Sequence, residues 1–416
     1  MTVDVDDWTE TEGSVYDDLN IEFGFEAPLD SVRSWLDPAP HEDSVDVRVD
    51  GLRFELPMPD GSREDVLVVY SPIYDDSFAL RRPDIKTYLA YSPMHPDWTI
   101  RMSTTPLGFH AIVYGDRGGT IGIAPIEHLG RTDRIIASFA QDSTPIDFEC
   151  TTESLDSLNS SSGSHRSFGS CERREYRIAI SATAEYTGHY GGTVSDAEAA
   201  QVITMNRVNG LFDRDFAIRL NLIGNNNLLV CTDTLTDPFT NGSTNDLITE
   251  NPPFVNSAIG VSAYDIGHVF DYVPTGGGGK AEIGSVCDPS LKAMGASVAT
   301  DSQLSGTIPG FDVWLVPHEL GHQFGANHTF SSECAGARHR PTSVETGNGV
   351  TVMSYGRINN ASIGCEHQID PNAGSFFHSI SIEEIGSFIT APGHTCPVKS
   401  PLVNNPPNIL STSVSG

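Results

Sequence analysis

The chain has 416 residues, with 24 basic side chains against 55 acidic ones and a formal net charge of −31. Such a length exceeds one small core and implies two or three domains. The acidity argues against nucleic acid or an anionic membrane surface as partner, since both need a basic face. No apolar run approaches the ~20 residues of a membrane span, so no membrane insertion is expected.

The first 50 residues hold fifteen acids and two arginines. This predicts an acidic, poorly ordered leader over 1–44, with Phe23, Phe25 and Trp35 as the residues able to dock. Residues 45–145 read as a small β-rich domain. Val45, Val47 and Val49 alternate with polar residues, LRFELPMPDGSREDVLVVY is strand–turn–strand, and TYLAY, WTIRMS, GFHAIVYG and GTIGIAP follow at short spacing. Residues 146–172 are a Ser/Gly-rich linker.

From 173 to 396 strands alternate with helices, the pattern of an α/β domain. YRIAISATAEY, AIRLNLIG and DIGHVFDY are predicted strands. A helix opens at Ser195 as N-cap, and DVWLVPHELGHQF is predicted as a second long helix. A C-terminal helix begins with a capping box between Ser381 and Glu384. Residues 397–416 are rich in Pro, Asn and Ser and read as a linker to a further domain.

One segment carries the chemistry: His318-Glu319-Leu320-Gly321-His322-Gln323-Phe324-Gly325-Ala326-Asn327-His328. Histidines four apart on a helix share a face and can chelate one ion. Glu319 sits beside the first and can take a proton from zinc-bound water. Gly325 lets the chain stop its helix and turn, so that His328 returns as third ligand. Three protein ligands with one open position describe a catalytic zinc site rather than a closed structural one. The loop Gly276–Gly279 lacks the G-K-[ST] ending of a phosphate cradle. No D-x-[DN]-x-[DN]-G loop supports calcium, which is left open as a second ion.

The eleven-residue motif resembles that of the metzincin zinc peptidases. The order of YRIAISATAEYT, MNRVNGLFDRDF, YDIGHVF and GGGGKAEIGSVCDPSLKAMG resembles their reprolysin/adamalysin-like members, in the bacterial reprolysin-like branch. The resemblance covers roughly 173–396, and 45–145 resembles a reprolysin propeptide more loosely. It implies a twisted mixed sheet, an active-site helix and a smaller C-terminal subdomain. The implied activity is that of a zinc-dependent endopeptidase cleaving extended protein substrates. It also implies roles for particular residues. Met353, 25 residues after His328, would form the floor of the zinc site, and Tyr355 would stabilise the oxyanion. Lys280, Ala281, Glu282, Ile283 and Gly284 would form the cleft rim, pairing antiparallel with substrate. Thr329 departs from the venom and cell-surface branch, which has Asp after the third histidine.

The seven cysteines contain no C-x-x-C pair, and their wide spacing suits disulfides in an oxidising compartment. The resemblance implies a Cys287–Cys396 bridge. Cys334 and Cys365 are candidates for a second bridge, and Cys171 with Cys231 for a third; spacing alone leaves the connectivity open. Cys150, where the β-rich region meets the linker, is a candidate latency switch, since a thiolate is a good zinc ligand. The expectation is a secreted, monomeric zymogen with one catalytic Zn²⁺.

Overall fold

The computed structural model describes residues 9–11, 24–115, 119–126, 133–139, 149–150, 152, 172–358, 364–365, 367–368 and 374–401. Phe23, Cys171, most of the predicted linker and the tail after Pro401 lie outside them.

The chain first builds an antiparallel sheet. Its strands are β1 (Thr9–Thr11), β2 (Gly24–Glu26), β3 (Leu52–Pro57), β4 (Arg63–Tyr70), β5 (Lys86–Tyr91), β6 (Thr99–Thr105), β7 (Gly108–Tyr114), β8 (Thr120–Pro125) and β9 (Arg134–Phe139). Neighbours run β1-β2-β9-β8-β7-β6-β5-β4-β3. Alternation sets the faces: Phe54, Val66, Val68, Ile100, Met102 and Val113 turn to one side. Helix α1 (Leu29–Leu36) covers that side with Val32 and Leu36. The acidic leader is therefore not loose as far as residue 44, because Phe25, Val32 and Leu36 are fully buried. The strand expected at Val45–Val49 is instead the short helix α2 (Val47–Asp50). The Asp46 carboxylate accepts the Arg48 N–H and starts it, and Val49 is left 72% exposed. A third short helix, α3 (Asp76–Arg81), follows β4.

The second sheet is mixed. Its strands are β10 (Glu149–Cys150), β11 (Glu172–Ala182), β12 (Ile218–Leu222), β13 (Ile266–Tyr272), β14 (Gly278–Ala281), β15 (Gly295–Ala299) and β16 (Val398–Pro401). They run β10-β14-β15-β13-β11-β12, and β16 pairs antiparallel with β11. The tail predicted as linker from 397 thus begins as sheet. Strands β12, β11, β13 and β15 are parallel, as helical crossovers require, whereas β14 is antiparallel to β15. Helices α4 (Ala184–His189) and α5 (Val194–Phe216) connect β11 to β12. Thr193, not Ser195, caps α5, its hydroxyl accepting the Asp196 N–H. Helix α6 (Thr244–Ile259), unexpected because it contains Pro252 and Pro253, packs against β13 and β15.

The two sheets share a core. Ile73, Tyr74, Phe78, Ile112 and Tyr114 pack with Val202, Met205, Leu211 and Phe212. Around this apolar patch lie polar clasps. The Tyr114 hydroxyl donates to Arg207 C=O at 2.9 Å and the Asn206 amide to Met102 C=O at 2.8 Å. Glu42 accepts from Arg219 at 2.6 Å, Arg101 pairs with Asp213, and Arg81 grips Glu198 with two bonds.

Candidate metal centre

After the short helix α7 (Asp301–Leu304), a π-helical turn at Phe311–Leu315 leads into α8 (Val316–Gln323). The predicted long helix is therefore one continuous but uneven coil. His318 and His322 stand one turn apart on it. Gly325 has φ +95°, a conformation costly to any side chain, and ends the helix. Glu384 then holds the turn, accepting from both the backbone and side-chain amides of Asn327. Glu384 therefore does not cap its own helix, α9 (Ser379–Ile389), which His378 caps while Ser381 is buried inside. His328 is returned towards α8.

The three Nε2 atoms lie 3.1, 3.2 and 3.3 Å apart. Each Nδ1 is 2.7–2.8 Å from a backbone carbonyl: Val352 for His318, Ala326 for His322 and Ala337 for His328. A proton on each Nδ1 leaves every Nε2 lone pair pointing at its neighbours. Burial lowers His318 to about 3 and His328 to about 4, and His322 also falls well below its ordinary value, so all three rings are neutral. Three neutral acceptors crowded together have no mutual hydrogen bond to make. A cation at about 2.0–2.1 Å from tetrahedral nitrogens needs N···N edges of about 3.3 Å, so the donor set fits zinc. Cys150 Sγ completes it, 3.6 Å from His322 Nε2, in a cluster whose four ligand atoms lie within 4.8 Å of one another.

Glu319 is buried beside this cluster, and burial pushes its carboxyl up to about 8. One oxygen accepts from the Thr152 hydroxyl at 3.4 Å. Gly279 leaves room for the carboxylate, since a Cβ there would come within 2.2 Å of it. The Tyr355 hydroxyl donates to Cys150 C=O at 2.9 Å, and its ring centroid is 5.0 Å from that of His328. Met353 is fully buried, and its carbonyl accepts the Thr329 N–H.

Of the expected rim, Lys280 and Ala281 belong to β14. Glu282, Ile283 and Gly284 lie beyond it, with the Gly284 N–H on His322 C=O. Gly278 and Gly279, not expected there, form the rest of the strand. Its outer edge is taken by Cys150, and the Ala281 N–H donates to the Thr152 hydroxyl at 2.9 Å. Thr152 carried no motif, and only its nearness to Cys150 could have drawn attention to it. Cys287 lies at disulfide distance from Cys396, and Cys334 from Cys365; among the described residues Cys150 and Cys231 have no disulfide partner, and the expected Cys171–Cys231 pairing falls outside them.

Residues 172–384, just over half of the chain, match the model of the metallo-peptidase family M12B, reprolysin-like. No curated protein matches the chain. The match spans β11 through most of α9 and includes every histidine of the cluster, and this family implies the metzincin α/β fold. The chain belongs to the reprolysin-like M12B metallopeptidases.

Proposed function

We propose that the chain is a zinc-dependent endopeptidase for extended protein substrates, held latent by Cys150 and Thr152. The observation carrying this reading is the convergence of three Nε2 atoms beside a buried glutamate. His318, His322 and His328 would hold the zinc, with Met353 as the buried floor. Bound zinc supplies a Lewis acid for the scissile carbonyl and makes water acidic enough to ionise near neutral pH. The Glu319 carboxyl, whose ionised form a bound dication beside it would favour, accepts the proton from the attacking water and returns it to the leaving amine. The Tyr355 hydroxyl donates to the carbonyl oxygen as negative charge develops there. The backbone of β14 pairs with the substrate as an added strand.

Latency follows from the same contacts. Cys150 brings its sulfur to the open side of the histidine cluster, its carbonyl occupies the Tyr355 hydroxyl, and Thr152 engages both Ala281 and Glu319. The segment runs parallel to β14, whereas a substrate would pair antiparallel, so its peptide bonds face the catalytic groups in reverse. The β-rich region over 45–145 serves as propeptide, and the domain over 173–396 as peptidase, with a smaller subdomain after His328. Two cysteine pairs at disulfide distance favour an extracellular setting for a monomeric zymogen. Among the described residues no helix is long and apolar enough to cross a membrane.

The test is digestion of a denatured protein by the full chain, before and after cutting between 153 and 171, with and without a zinc chelator. Chelator-sensitive cleavage that appears on cutting is expected. Because a general base contributes about 10²–10⁴-fold, Glu319→Ala should remove nearly all of it. One bound zinc per chain without cleavage in any form would instead favour a binding module on a peptidase fold.

A further inference from the structure

Glu345 belongs to no motif, yet its carboxylate is buried, 8% exposed, between the two chain segments that frame the histidine cluster. Oε1 accepts from the hydroxyls of Thr329 and Thr351, both at 2.5 Å. Oε2 accepts from the backbone N–H groups of Val350 at 2.6 Å and Thr351 at 3.1 Å. All four donors are neutral, and a carboxylate is the side chain that can accept at both oxygens twice.

The two ends of this tie matter. Thr329 directly follows His328, and the Glu345 N–H donates to Thr329 C=O at 2.9 Å. Val350 and Thr351 directly precede Val352, whose carbonyl accepts the Nδ1 proton of His318 at 2.7 Å. One buried side chain thus joins the carrier of one histidine to the orienting acceptor of another. Besides the single backbone bond from the Thr329 N–H to the Met353 carbonyl, neither a helix nor a strand ladder joins the two segments, which are irregular here.

We propose that Glu345 is a positioning residue for the metal. It fixes the segment bearing His328 against the segment that orients His318, so that the ligand atoms are already close before an ion arrives. Partners one step removed from a metal typically change affinity by 10–100-fold. The inference rests on His318, His322 and His328 being the zinc ligands.

The experiment is competition for zinc between the full-length chain and a chromophoric chelator, paired with thermal midpoints in zinc and in excess chelator. Glu345→Gln puts an amide NH2 against two donors and should weaken zinc at least about tenfold. The gap between zinc-loaded and zinc-free midpoints should narrow, and the visible spectrum of the cobalt-loaded chain should change. A uniform fall of both midpoints with unchanged zinc affinity would show a merely structural role and overturn the proposal. Should Glu345→Gln fail to fold, Thr329→Val and Thr329→Ser decide. Loss of the hydroxyl in Thr329→Val should weaken zinc a few-fold, and Thr329→Ser should restore it; equal affinities in the two overturn the proposal. An unaltered chain that binds no zinc would overturn the ligand assignment as well, which separates the two failures.

Discussion

Two of the contacts between the N-terminal region and the peptidase domain differ in character. At the docking face, an apolar patch is ringed by arginine–carboxylate pairs: Glu42 with Arg219, Arg101 with Asp213, and Arg81 and Arg82 with Glu198. At the metal cleft, the contact among the described residues is made by Thr152 and the two-residue strand that ends in Cys150. The first contact is broad, and its buried charges depend on one another. The second, as far as the described residues reach, meets the histidine cluster, Glu319 and Tyr355. On the latency reading proposed above, holding and blocking fall to different residues and should be separable by substitution.

The largest effect expected from that separation is at the docking face. Arg219→Met leaves the largely buried side chains of Glu42 and Asp213, 11% and 17% exposed, without their shared partner. Breaking such a pair costs about 3–5 kcal/mol. In a chain cut between 153 and 171, the affinity between the two fragments should fall by two orders of magnitude or more, with zinc content unchanged. Co-elution of the fragments on a sizing column reads this directly, and undiminished co-elution would refute the role given to the pair.

A smaller effect is expected at the cleft. Cys150→Ser removes the sulfur but leaves the docking pairs intact. Activity of the uncut chain should rise about tenfold, the scale of one weak ligand contact at 1.4 kcal/mol, while co-elution of the cut fragments stays the same. Weakened co-elution would show that the two contacts are not separate.

At the docking face, acid should act through Glu42. Burial by itself would raise the Glu42 carboxyl, but Arg219, with Arg101 and Arg173, outweighs it and holds the group at about 2, against an ordinary 4.5. A depressed carboxyl stabilises the docked form fully above its ordinary pKa, and the contribution is lost as pH falls from about 4.5 towards 2. Binding of the cut fragments, measured from pH 6 down to pH 3, should weaken below about 4.5. Glu42→Gln should flatten this dependence, and an unchanged acid loss in that variant would assign the effect to another group.

The contrast also explains what the sequence disclosed. His318, Glu319, His322 and His328 fall within eleven residues, so helix geometry alone brings the first three together. The strands of the first sheet were readable because alternation reports a face. The rest depends on distance in the chain. Glu345 meets Thr329 across sixteen residues and Thr152 meets Glu319 across 167. No local pattern marks such a pair. Helix starts failed for a related reason: Asp46, Thr193 and His378 each offer a side-chain acceptor to a nearby N–H, and several neighbouring residues could have done the same.

Strand β16 gives the peptidase domain a further property. Val398–Pro401 lies antiparallel on the first residues of β11, with Glu172 opposite Pro401 and Glu175 opposite Val398. The Cys287–Cys396 pair stands immediately before it. A new chain end produced anywhere in the Ser- and Gly-rich stretch before Glu172 would meet this seam at its outermost rung. The seam would stop fraying at the same residue whichever bond was cut. On the latency reading proposed above, cuts at different bonds in that stretch would leave chains with different ends but one common ordered start at Glu172.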